Sequence, residues 1–238
     1  MDSKFEDDRK VTDAQLNPRA QAFMERLQAA SRASNDFSGI SQWLIDNTTD
    51  PRDQGKNWSF KDHEFQEQIL NDGTPHLVCR KCSQVGLSEV VVRLQLALLA
   101  IFPSTTAIYT LPTTSFARKF TKSRIDPVID QSKVLKAMVP SGNDSSELKQ
   151  LGNSFLYIVG SFGQGSAISI PADVLINDEV DFSNQQALTT FASRLGHAQL
   201  GDGKGIRREF STPTVDGFGI SKTFEISTKN HYCVKCDS

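Results

Sequence analysis

Two short segments of this chain combine residue types that could handle phosphate and a metal ion. The first runs Arg80, Lys81, Cys82, Ser83, Gln84, Val85, Gly86, Leu87, Ser88. Laid against the phosphate-loop pattern G-x-x-x-x-G-K-[ST], Gly86 and Ser88 keep their places, Leu87 stands at the usual lysine position and Lys81 at that of the first glycine. Such a loop cradles phosphates on backbone N–H groups at a helix N-terminus, with an ammonium on the β/γ-phosphates and a hydroxyl on Mg2+. A lysine at the other end of the loop can still serve, because a long flexible ammonium acts as a point charge, and Arg80 could do the same. By spacing alone the segment is equally a plain turn.

The second segment, Ala172 to Phe182, is an apolar strand that delivers Asp178 and Glu179 at its carboxyl end. One carboxylate there suits Mg2+ and the next can polarise an attacking water. Ser211-Thr212-Pro213-Thr214 repeats the geometry after the apolar Ile206 to Phe210 run, releasing hydroxyls that could sense the γ-phosphate and transmit its loss. The cysteines form two C-x-x-C pairs, Cys79/Cys82 and Cys233/Cys236, a spacing that can mean zinc. The first pair straddles a strand end and the loop, so Cys79 reads better as a small buried apolar residue. The second stays open as half of a metal knuckle.

These segments need a scaffold that alternates strands with helices, and the hydrophobic pattern supplies one. Strands are expected at 76–79, 106–111, 154–159, 174–177 and 208–211, and helices at 40–45, from 61 or 62 to about 70, 88–101, 114–123 and 185–194. Leu16, Phe23, Met24 and Leu27 recur at helical intervals around Pro18 and predict an amphipathic N-terminal helix. The alternation argues for an α/β fold with a mainly parallel central sheet flanked by helices.

Composition bounds the rest. At 238 residues, 38% hydrophobic and 23% charged, the chain is an ordinary globular one that can bury a substantial core. Its most apolar run, Val90 to Phe102, is interrupted by Arg93 and Gln95 and is shorter than the ~20 residues a membrane span needs. The charged start, Met1 to Lys10, does not suit a signal peptide, so the thiols are expected to be reduced. A net charge of -2 excludes a wholesale electrostatic grip on DNA but leaves a modest basic stripe, Arg118, Lys119, Lys122, Arg124, Lys133 and Lys136.

In order and combination the motifs resemble the N-terminal ATPase domain of the large terminase subunit of tailed bacteriophages. Four segments carry the resemblance: His63 to Gln66, Arg80 to Ser88, Asp173 to Asp181, and Ser211 to Thr214. Terminases of this type are similar in having an early lysine in the phosphate loop, so the departure at Leu87 becomes support. The resemblance implies a P-loop NTPase core (RecA-like, ASCE) over residues 58–228, preceded by a helical extension over 1–57 and followed by the start of a linker or a truncated knuckle over 229–238. It implies ATP and Mg2+ as ligands, with Lys81 and Arg80 on the phosphates, Ser88 and Asp178 on the metal, and Glu179 as catalytic base. Gln66 would read the adenine edge and Phe65 or Trp58 would stack on the base, although core aromatics are equally common. Ser211, Thr212, Pro213 and Thr214 would couple hydrolysis to motion. An arginine finger supplied by a neighbouring subunit is expected at Arg124, with Arg194 as the alternative.

The implied partners are double-stranded DNA, a portal protein and a small terminase subunit. The assembled form would be a homo-oligomeric ring in the host cytoplasm with no membrane, and the domain alone would be monomeric and slow. After Ser211 only Asp216, Glu225 and Asp237 remain as carboxylates, so no two-metal nuclease is expected in this chain, which reads as an excised domain. Two other readings stay open: a helicase-type ATPase, and a non-catalytic DNA- or zinc-binding scaffold module.

Overall fold

The computed structural model describes residues 25, 37–50, 53, 55–140, 145–162 and 169–233; the apolar stripe of the expected N-terminal helix lies outside them. In chain order the elements are α1 (Ser38–Asn47), α2 (Glu64–Asn71), β1 (His76–Arg80), α3 (Leu87–Ile101), β2 (Thr106–Leu111) and α4 (Thr114–Phe120). A π-helical turn (Thr121–Ile125) leads into α5 (Asp126–Gln131) and α6 (Lys133–Met138), then β3 (Leu148–Leu151), β4 (Ser154–Gly160) and β5 (Val174–Asp178). A 3-10 turn (Val180–Phe182), α7 (Gln185–Ala192), a second 3-10 turn (Ser193–His197), β6 (Ile206–Ser211) and α8 (Gly219–Glu225) complete the series.

The strands form one sheet in the order β1-β6-β5-β2-β4-β3, parallel throughout except for β3, which runs antiparallel to β4 at the edge. The α/β expectation is met, and each predicted strand lies within two residues of the observed one. Helix α2 begins later than expected because Asp62 has φ +65°, a left-handed conformation that no helix interior accepts. The sequence reading missed β3, α5, α6 and α8. Strand β3 reads Leu-Lys-Gln-Leu, with no apolar run; its Lys149 is buried only because its ammonium meets Asp126 Oδ1 at 2.7 Å.

A strand's side chains alternate between faces, and that period sorts the core into two layers. Ala107, Tyr109, Val174 and Ile176 join the main core with α3, whereas Ile108 and Leu175 pack with Phe191 and Leu195 of the α7 region. Helix α3 is buried almost all round, because Ile40, Trp43, Leu44 and Leu70 of α1 and α2 cover its outer side. Such burial explains why its sequence is nearly continuously apolar. Among the described residues no helix is long and apolar enough to cross a membrane.

Candidate active site

The sheet order puts β1, β6 and β5 side by side, so the three segments singled out by chemistry leave the sheet at adjacent positions. Arg80 lies opposite Ser211 and Asp178 opposite Phe210 in register. The pairing continues past the strand end, where the Lys81 N–H donates to the Ser211 carbonyl at 3.0 Å. In open α/β sheets the carboxyl ends of the strands are where ligands bind.

Asp178 shares the α3 face of β5 with Val174 and Ile176, and that parity aims its carboxylate at the first turn of α3. Ser88 donates its hydroxyl to Asp178 Oδ2 at 2.8 Å, and the Tyr109 hydroxyl donates to the same oxygen at 2.8 Å. Burial, and then the Asp178 carboxylate beside it, push the Tyr109 phenol well above its ordinary range, so it stays a donor. The loop before α3 is held by Gln66, which donates its amide to the Val85 carbonyl at 2.8 Å. Gly86 sits at φ +73°, and a Cβ there would fall 2.6 Å from Gln66 Nε2, so this turn requires glycine twice over.

Glu179 follows Asp178 in a left-handed conformation, φ +54°, uncommon outside glycine and typical of constrained functional sites. Its N–H donates to Asp178 Oδ1 at 3.0 Å, and its carbonyl accepts from the Phe182 N–H and the Ser183 hydroxyl. The turn re-aims the chain so that Glu179 Oε1 meets Lys81 Nζ at 3.1 Å, joining the displaced lysine to the second carboxylate.

The remaining expected residues are placed less centrally. Arg80 points to the opposite face of β1 from Lys81, with its guanidinium 4.6 Å from the Phe224 ring centroid on α8. Cys82, Ser83 and Gln84 are exposed in the loop and Val85 is partly buried, while Leu87 is a core residue of α3. Trp58 is not a free stacking surface: it is 9% exposed, with the Arg93 guanidinium 3.9 Å above its ring. Phe65 remains an accessible aromatic beside Gln66, its ring 5.2 Å from that of Tyr232. Arg124, on the π-helical turn, pairs with Glu89, which also takes Arg93. Arg194 lies at the opposite, amino ends of the strands, where its carbonyl accepts from the Ala172 N–H just before β5.

In the expected coupling segment, Ser211 Oγ accepts from the Asp181 N–H at 3.1 Å, Thr212 lends its carbonyl to the Ser211 hydroxyl, and Pro213 is exposed. Thr214 gives both its N–H and its hydroxyl to Asp181 Oδ2 at 2.8 Å. Asp181 was passed over as a site residue by sequence reasoning. Its signal was present as a third carboxylate two residues beyond Glu179.

The donor set fits Mg2+: Ser88 and Asp178 offer one hydroxyl and one carboxylate, hard oxygens of the kind that ion takes alongside phosphate oxygens and water. Among the described residues there is no cluster of three His, Cys, Asp or Glu able to hold a metal by protein ligands alone. Burial pushes the Cys79 thiol up to about 12, which suits an inert strand residue packed on the core. Cys233 is exposed, and Cys236 lies outside the described residues.

The fold and motif order agree with comparisons to known proteins. A crystal structure of the HK97 bacteriophage large terminase superposes with a TM-score of 0.60 at 14% identity, covering 78% of this chain and 39% of that one. The chain thus spans about two fifths of that terminase, and the likeness is one of fold. No curated protein sequence matches. The family model for the phage terminase large subunit gpA ATPase domain matches residues 61–238, so by fold, motif order and sequence the chain belongs to that family.

Proposed function

We propose that this chain is the ATP-hydrolysing motor domain of a DNA-packaging terminase and drives double-stranded DNA into a procapsid. The observation that carries the reading is the convergence of Lys81–Glu179 and Ser88–Asp178 at the carboxyl ends of neighbouring strands. Mg2+, when bound, neutralises charge on the β- and γ-phosphates. Ser88 and Asp178 would hold it. Lys81 meets the phosphates; these compete with Glu179 for its ammonium, so the approach of nucleotide frees the Glu179 carboxylate to take a proton from the attacking water. Phe65 offers a ring to the adenine, and Gln66 secures the loop from below.

Arg124 is half exposed and shares Glu89 with Arg93, which leaves it within reach of a neighbouring subunit's phosphates as a finger in a homo-oligomeric ring. In the basic stripe, Arg118 pairs with Glu147 and Lys122 with Asp126. Exposed pairs of this kind are weak enough for DNA phosphates to compete, so DNA binding is expected to be salt-sensitive and sequence-independent. Portal protein and small terminase subunit are the further partners, in the host cytoplasm.

The test is Mg2+-dependent phosphate release from ATP. It is expected to vanish in Glu179→Ala and in Lys81→Ala while both variants keep their fold. Unchanged turnover in Glu179→Ala overturns the reading.

A further inference from the structure

Asp181 is only 8% exposed, and the three hydrogen bonds to its carboxylate all come from neutral donors. Thr214 supplies its N–H and hydroxyl to Oδ2 at 2.8 Å, and the Ile220 N–H, in the first turn of α8, reaches Oδ1 at 2.7 Å. The backbone of Asp181 is used as well, its N–H donating to Ser211 Oγ at 3.1 Å. The chain makes room for this arrangement: a Cβ at Gly219 would fall 2.4 Å from Asp181 Oδ1, and Gly219 has φ +51°. A buried carboxylate without a cationic partner is costly unless every acceptor is used, so loop and helix are held to it in one geometry.

The position matters because Asp181 lies in the 3-10 turn that begins at Glu179. Asp181 is two residues from the left-handed Glu179, and it holds both the Ser211–Thr214 loop and the start of α8. Helix α8 carries Phe224, the ring under Arg80 at the mouth of the phosphate loop. The route from Glu179 to the coupling loop thus runs through two residues of backbone and then through the hydrogen bonds of Asp181.

Resting on the reading of the site as an ATPase, we propose that Asp181 is a positioning residue that ties the state of Glu179 to the Ser211–Thr214 loop and α8. Asp181→Asn keeps the shape but leaves one acceptor oxygen in place of two, so it cannot satisfy the Thr214 donors and the Ile220 N–H together. Thr214→Val removes one of those donors from an exposed loop residue and leaves its N–H bond to Asp181 in place.

The decisive measurement is a double-mutant cycle on ATP turnover, with KM followed separately. Asp181→Asn is expected to lower kcat roughly tenfold with KM nearly unchanged, and Thr214→Val roughly fivefold, since coupling between contacting residues is of that size. The double variant should be no worse than Asp181→Asn alone, and Thr214→Ser should restore turnover. Multiplying effects in the double variant, or kcat within about twofold of the unsubstituted chain in both single variants, overturns the proposal.

A second readout does not need turnover. Adding AMP-PNP and Mg2+ should change amide hydrogen exchange across residues 212–220, and Asp181→Asn should abolish that change. An unsubstituted chain that binds AMP-PNP with no exchange change there also overturns it. A chain that neither binds nor hydrolyses ATP overturns the ATPase reading itself, and this inference falls with it.

Discussion

Strand β5 carries an aspartate at each end, and the two are treated in opposite ways. Asp173, just before the strand, accepts from the Thr106 N–H at 3.0 Å and the Gln199 N–H at 2.8 Å. Asp178, at the far end, accepts on Oδ2 from the hydroxyls of Ser88 and Tyr109. Backbone N–H groups cannot turn away, so Asp173 is committed to closing the amino edge of the sheet. Hydroxyls can rotate, so Asp178 Oδ2 can trade its donors for a cation, while Oδ1 stays tied to the Glu179 N–H. The donors on Oδ2 thus separate an aspartate that closes the sheet from one that can take a metal.

That contrast breaks most sharply at the carboxyl ends of the strands. Glu179→Gln should lower ATP turnover by about 10²–10⁴-fold, the range a positioned general base contributes, with little change in the unfolding midpoint. Asp178→Ala should also abolish the Mg2+ dependence of nucleotide binding, read by titrating Mg2+ against a fluorescent ATP analogue. At the other end, Asp173→Ala should cost about 1–3 kcal/mol of stability by stranding two N–H groups, with turnover per folded molecule unchanged. A loss of turnover at Asp173 without a loss of stability would erase the distinction.

The same contrast shows what could be read from sequence. Asp178 and Glu179 were legible because an apolar strand ending in paired carboxylates, common by itself, follows a candidate phosphate loop at a fitting distance, and Lys81 and Ser88 because spacing places them around one loop. Arg80 and Lys81 were not separable, since adjacent residues look alike to a motif. The period-2 alternation of β1 divides them: Val78 and Arg80 face the α8 side, Cys79 and Lys81 the α3 side. Lys81→Ala should therefore weaken ATP binding at least about tenfold and Arg80→Ala much less, compared by analogue titration. Sequence could not tell Trp58 from Phe65 as a stacking ring, because an aromatic buried under an arginine, as Trp58 is, has the same sequence signature as a ring that stacks on a base. Asp181 was missed because its partners Thr214 and Ile220 are 33 and 39 residues away in sequence.

Between the two ends of β5 lies a third kind of polar residue. Thr110 donates to Asn177, Asn177 to Glu209, and Glu209 also meets Arg207 and His76, all on the face away from α3. Burial pushes the Glu209 carboxyl up, but the hydrogen bonds and charges of His76 and Arg207 outweigh it and hold it below the usual carboxylate value of 4.5. A lowered folded-state value means that this contribution is complete above the unfolded value and is lost as pH falls through the folded one. Denaturant midpoints should accordingly drop below about pH 4.5, and Glu209→Gln should flatten that acid limb. No effect on turnover per folded molecule at neutral pH is expected.

The smallest effect is the most discriminating. Tyr109→Phe removes one rotatable donor from Asp178 Oδ2 and leaves the ring on the core. If Asp178 is built to exchange its partners, the loss should be about 1 kcal/mol or less in stability, the net worth of an ordinary hydrogen bond. Mg2+ should bind as well or slightly better in the variant, because one fewer donor competes with the ion for the same oxygen. Asp173 offers no equivalent experiment, since its donors belong to the main chain. A Tyr109→Phe chain that loses Mg2+ affinity more than about fivefold would mean the phenol orients the carboxylate rather than competing with the metal, and the donor-type distinction between the two aspartates would have to be redrawn.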